Sequence, residues 1–218
     1  MPDGSFSHTV DSVEALRQLY RQPHEAVVKK ERPALDAAST RFIELSRFVV
    51  IGTFDGAGRA DSSPRGGPSG FVRVLDATHL AIADLGGNNR LDTLQNVVDT
   101  GRIGLLFVVP GQSETVRVNG AACITTDPTV LARFDMPREA KSAIGVTVET
   151  TYVHCAKAFR RSGMWDPNVW AELAGSPDAA DIIACQYDNA FDAELVRADL
   201  SNGYDLALRW EAGEDVEV

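Results

Sequence analysis

FVVIGTFDGAGRADSSPRGG, residues 48–67, decides the fold. FVVIGTF is short, β-branched and aromatic, which favours a strand. DGAG, residues 55–58, supplies the small and turn-forming residues of a tight hairpin. The run from Arg59 to Arg65 is then a second, antiparallel strand, in which Ser63 and Arg65 share a face because strand side chains alternate. A hydroxyl and a forked guanidinium on one face suit the oxygens of a phosphate. The following Gly66 and Gly67 allow close backbone approach, as to a ring system.

Working outward, GGPSG (66–70) interrupts pairing, FVRVLD (71–76) resumes it, and HLAIAD (79–84) forms the next strand after a DATH turn. Residues 88–99 carry Leu91, Leu94 and Val98 along one helical face. Before them, Gly86 and Gly87 permit a sharp turn, and Asn88 or Asn89 is suited to cap the helix. Arg90 falls in its first turn. A helix N-terminus offers free N–H groups and a positive dipole to an anion, although Asp92 stands where a capping carboxylate could occupy those donors.

RIGLLFVV (102–109), TVRVNGAACIT (115–125) and AIGVTVETTYVH (143–154) add three strands, with a short helix expected over 127–134. Six or seven short antiparallel strands in near-meander order indicate a mainly β, α+β chain: a closed or split β-barrel with flanking helices. Segment 1–47 reads as helical, with Val13, Leu16, Leu19 and Tyr20 at helical spacing behind Asp11 as N-cap. A second helix carries Leu35, Ala38, Phe42 and Leu45. Both are expected to pack on the barrel, which spans 48–165. Residues 166–218 read as a C-terminal helical extension, with one helix from 178 to about 195 and a solvated acidic tail; the whole is one domain.

Composition bounds the function. The chain has 218 residues, 44% hydrophobic and 24% charged, as in ordinary globular proteins. Its net charge of −10 opposes loose attraction to nucleic acid or an anionic membrane. No apolar run spans a bilayer, and the N-terminus lacks the pattern of a secretory signal, so a cytoplasmic location is expected. Cys123, Cys155 and Cys185 are widely spaced, suggest neither a disulfide framework nor a zinc site, and read as buried or partly buried thiols. The sequence has no Walker motif, no GxGxxG after a strand, no GxSxG elbow and no HExxH helix, and nothing marks a metal site. His8, His24 and His79 lack ligand-like spacing.

The ordered series PRGGPSGFVRVLD, LAIADLGGNNRLDTLQNVVDTGRIGLLFVVPG and ETVRVNGAACITTD resembles the pyridoxamine 5′-phosphate oxidase-like superfamily of flavin-binding split barrels, and more narrowly an uncharacterised FMN-dependent branch. The segment HCAKAFRRSGMWDP (154–167) is similar to that branch as well. The resemblance implies a homodimer with FMN in a cleft between subunits. It implies that Ser63, Pro64, Arg65 and Gly66, Ile82, Ala83 and Asp84, and Asn88, Asn89 and Arg90 hold the ribityl phosphate. Thr115 and Arg117 would come from the partner subunit, and Lys157, Arg160, Arg161 and Trp165 would line the open face of the flavin ring. The acidic C-terminus lacks the basic, aromatic set that grips pyridoxine phosphate, so oxidation of that substrate is not implied. An FMN-dependent oxidoreductase acting on a small molecule is the expected function, with no general acid or base named. The alternatives are a non-catalytic flavin carrier or sensor, or the same barrel holding a deazaflavin or haem, the last with His154 as axial ligand.

Overall fold

The structure, a computed structural model, describes residues 5–188 and 190–217; the ends of the two expected helical segments (residues 1–4 and 218) and Asn189 lie outside the described residues. The chain divides into two compact units at the Glu31/Arg32 boundary. The smaller holds α1 (Val13–Leu19) and α2 (Glu25–Lys29). Ser12 rather than Asp11 caps α1, its hydroxyl accepting from the Ala15 N–H at 3.1 Å. One residue decides the difference, since only a side chain at the last non-helical position reaches the third helical amide. His24 caps α2 through Nδ1.

The larger unit opens with α3 (Ala37–Leu45), capped by Asp36, which buries Ile43 in the main core. There follow β1 (Phe48–Phe54), β2 (Ala60–Gly66), β3 (Val72–Val74), β4 (His79–Ala83), α4 (Asp92–Thr100), β5 (Arg102–Val108), β6 (Thr115–Thr125), α5 (Pro128–Leu131) and β7 (Ala143–His154). The C-terminal part holds α6 (Lys157–Ser162), α7 (Pro167–Glu172), α8 (Ala179–Gln186) and α9 (Ala193–Glu211). All seven strands pair antiparallel in the order β2-β1-β5-β6-β7-β4-β3.

That order forces curvature. Flat, seven strands would set the β2 and β3 edges about 29 Å apart, at roughly 4.8 Å per step. The six residue steps from Gly66 to Val72 can span at most about 21 Å. The sheet therefore curls, as a split barrel does. A bulge between Asn119 and Gly120 of β6 helps. A Cβ at Gly120 would lie only 1.9 Å from the Thr147 carbonyl oxygen, so the bulge admits glycine alone.

Alternation fills the interior: Val49, Ile51, Leu105, Phe107, Val118, Ile144 and Val146 point inward, with Val97 of α4 packed against them. Where α4 crosses β1 and β2 the interface is polar. Asn96 donates to the Thr53 hydroxyl at 3.0 Å, and Thr93 donates to Asp61 Oδ2 at 3.0 Å. Thr53, Thr93 and Asn96 are all buried, so this chain of bonds fixes the start of α4 against the start of β2.

Two further expectations change. The helix expected over 178–195 is instead two. Asp178 and Asp181 form a capping box for α8, the chain turns, and Asp192 caps a 19-residue α9 that runs to Glu211, the first residue of the acidic end. Arg197 ties the pair together, donating to Asp178, Asp181 and Glu194. All three cysteines are exposed rather than buried. Among the described residues, no helix is long and apolar enough to cross a membrane.

Candidate functional site

Strand β2 alternates exposed and half-buried residues, so Asp61, Ser63 and Arg65 share its inner-leaning face. These three, with Pro64 and Gly66, form one wall of a pocket of about 440 Å³. The opposite wall is Ala83 at the end of β4, the loop Gly86, Gly87 and Asn88, and Arg90 to Thr93 at the start of α4. Thus Ser63, Arg65, Asn88 and Arg90, separated by up to 27 positions in the chain, face one hollow.

Arg65 is the centre of its electrostatics. Its Nε is buried and has no hydrogen-bond partner among the described residues. The Asp84 carboxylate is its counter-charge, but at 3.7 Å from Nη1 it lies beyond hydrogen-bonding distance. Burial pushes the Asp84 carboxyl above its usual range, opposed by the nearby charges of Arg65 and Lys141. The Arg65 fork thus keeps donors for an incoming acceptor.

Helix α4 starts differently from the expectation. It begins at Asp92, not at residue 88, and Asn88, Asn89 and Arg90 precede it. Leu91 occupies the N-cap position with φ 62°, and no side chain caps the helix. Asn89 also has φ 59°; two left-handed residues either side of Arg90 stop the helix from extending backwards. Asp92, a candidate capping carboxylate, instead accepts from Arg90 Nε at 2.7 Å, and this bond raises the Arg90 pKa. The Asn88 side-chain oxygen accepts the Arg90 N–H at 3.1 Å. The first amides of α4 are therefore left open toward the pocket, the arrangement that suits an anion.

Other expected residues lie elsewhere. Ile82 is 1% exposed and belongs to the main core. The Asp84 N–H donates to the Ser142 carbonyl, so it is committed to the fold. Asn89 faces away from the Arg65 pocket, toward the C-terminal helices. Gly67 is required by packing, since its Cβ would meet Phe71 at 2.7 Å. Asp61 and Thr93, by contrast, line the pocket unforeseen; no local pattern links β2 to a helix 32 residues later.

Thr115 and Arg117 line a second hollow of about 380 Å³ on the β1–β5–β6 face, with Gly52, Gly104, Asn119 and His154. It shares no residue with the Arg65 pocket. Thr115 is buried, and the Arg117 guanidinium lies 5.2 Å from the Tyr152 ring centroid. Lys157, Arg160 and Arg161 are exposed on α6 and line neither hollow. Trp165 stacks on Phe159 at 5.7 Å and donates Nε1–H to the Gln112 carbonyl, tying α6 to the β5–β6 turn.

A family model described as pyridoxamine 5′-phosphate oxidase matches residues 35–155, more than half of the chain. The chain belongs to the pyridoxamine 5′-phosphate oxidase family. The match covers α3 and all seven strands and ends before α6. Solved structures resembling this family member include HupZ from Group A Streptococcus, 18% identical, covering 55% of this chain and 93% of that one, with a TM-score of 0.44. Others are a protein related to general stress protein 26 from Clostridium acetobutylicum (15%; 54% and 85%; 0.39) and an FAD-binding protein from Mesorhizobium loti (14%; 57% and 99%; 0.36). No curated protein matches the chain significantly.

Proposed function

We propose that this family member is an FMN-dependent oxidoreductase acting on a small molecule, with the flavin's phosphate in the Arg65 pocket. The observation that carries the reading is the buried, unpartnered Arg65 Nε beside an uncapped helix start. A dianionic phosphate satisfies both, and the pocket wall also offers the Ser63 hydroxyl and Arg90. FMN, when bound, supplies the two-electron redox chemistry; the chain supplies position and electrostatics. Arg65 and Ser63 would hold the phosphate from β2, and Arg90 would exchange its exposed Asp92 partner for it. Such exposed pairs contribute little, so the exchange is cheap. Asp84 would orient the Arg65 fork as its counter-charge.

The same reading takes the β1–β5–β6 hollow as the contribution of one subunit to its partner's flavin in a homodimer. Thr115 and Arg117 serve that role, Arg117 as a cation near the ring. Lys157, Arg160 and Trp165 stand at the margin of that face rather than against the phosphate.

The test is the visible spectrum of purified protein, alone and after adding FMN, followed by anaerobic NADPH. A yellow protein that NADPH bleaches supports the oxidoreductase. Yellow colour that no physiological donor bleaches favours a flavin carrier, and a colourless protein that takes up no FMN rejects the reading.

A further inference from the structure

The C-terminal helices lie outside the family match, yet they build the largest hollow of the chain's larger unit among those described. It measures about 1200 Å³ and lies between α8, α9 and the far side of the 86–89 loop. Its wall is mostly apolar and carries Tyr187, Phe191, Tyr204 and Trp210. Both ends of α9 are pinned. Arg197, in its second turn, joins it to the start of α8, and Arg138 donates to the Trp210 and Glu214 carbonyls at its far end.

Two features of this wall bear on what the hollow could take. Gly203 sits mid-helix on the hollow's wall, where glycine weakens a helix by about 0.5–1 kcal/mol relative to alanine. A Cβ there would meet nothing within 4 Å. Neither packing nor backbone conformation demands glycine at this exposed position, so a larger side chain there would extend into the mouth of the hollow. The second feature is the Glu211 carboxylate, half-buried on the same wall with no ion-pair or hydrogen-bond partner among the described residues. Burial raises its pKa, and no cation opposes that rise. Of the nearby cations, Arg138 holds carbonyls and lies 4.8 Å from the Trp210 ring centroid, while Lys141 is an exposed residue at the margin of the same hollow that makes no ion pair with Glu211.

We propose that this hollow binds a flat aromatic cation, its ring against the tyrosine and tryptophan wall and its positive centre toward Glu211. Aromatic faces attract cations, and a desolvated carboxylate strengthens the preference. The site stands whether or not the Arg65 pocket holds FMN.

Berberine, a planar aromatic cation whose emission rises in apolar surroundings, is the probe, with the anionic dye anilinonaphthalene sulfonate as its counterpart. The expected result is saturation at one berberine per full-length chain with a Kd on the order of 10 µM, tighter than the anionic dye. Gly203→Leu, which fills the space, should weaken berberine roughly ten-fold or more while leaving FMN uptake at the parent value and the thermal midpoint at or slightly above it. Gly203→Ala should stay within about two-fold of the parent, and Glu211→Gln should weaken berberine about five-fold. No saturable berberine binding, parent-like binding by Gly203→Leu, or tighter binding of the anionic dye would each overturn the proposal. FMN uptake is read separately, so its loss would count against the flavin reading alone.

Discussion

The two sides of the 86–89 loop are built on opposite principles. On the barrel side, the Arg65 pocket is walled by strand and helix-start residues fixed by buried hydrogen bonds, with charge at its centre. On the other side, the C-terminal hollow is walled by helices with aromatic faces, and α9 has no buried residue at all. One glycine-rich loop thus separates a polar site, made by the family's barrel, from a mostly apolar one made by this chain's C-terminal helices.

The sharpest way to break that contrast is Arg65→Ala. If the barrel side is the phosphate site, the loss of a charge-assisted contact of about 1.5–3 kcal/mol weakens FMN binding by about ten- to 150-fold. Berberine binding should not move. Calorimetric titration of both ligands checks this, and parent-like FMN affinity would remove phosphate from the pocket. Next in size is Thr93→Val, which leaves Asp61 Oδ2 without one donor and loosens the start of α4. We expect a loss of about 1–3 kcal/mol in urea unfolding, with weaker FMN binding beside it. Arg90→Ala should also weaken FMN, but less than Arg65→Ala, because Arg90 is exposed and already shares its charge with Asp92. Its effect should shrink as salt rises, unlike that of Arg65.

Acid should discriminate between the two walls. The Arg197 guanidinium and the Asp181 amide hold the Asp178 carboxyl down to about 2. Between its ordinary 3.8 and that value the unfolded chain binds more protons, so the contribution of this α8–α9 tie is present above about pH 4 and fades as pH falls toward 2. Tryptophan emission should report α9 loosening over that window. Asp84 runs the other way: its raised pKa makes its charge a cost that grows as pH rises past 3.8. The smallest effect is Gly203→Ala, which should stabilise by about 0.5–1 kcal/mol in thermal unfolding.

Much of the barrel side was legible from residues alone. β-branched and aromatic runs bounded by turn residues located β1, β6 and β7 to the residue, and the DGAG turn placed the β1–β2 hairpin, because residue preference and turn chemistry are local. The shared face of Ser63 and Arg65 followed from the alternation of strand side chains. The helix start was misread, since Asn88 and Asn89 are good caps in isolation, while the left-handed backbone at Asn89 and Leu91 is imposed by the loop's path. The C-terminal side was read least well. One hydrophobic run spans α8 and the turn after it, and nothing local announces that Asp192 restarts a helix there.

The sequence by itself determined the strands, the hairpin and the face that Arg65 shares with Ser63, because these depend on neighbours a few positions apart. Only the tertiary structure decided that Arg65 meets the start of α4, that Asp61 bonds Thr93, and that Gly203 and Glu211 border one hollow. Those juxtapositions depend on the curl of a seven-stranded sheet and on the docking of α9, which join residues far apart in the chain through packing that no local pattern encodes.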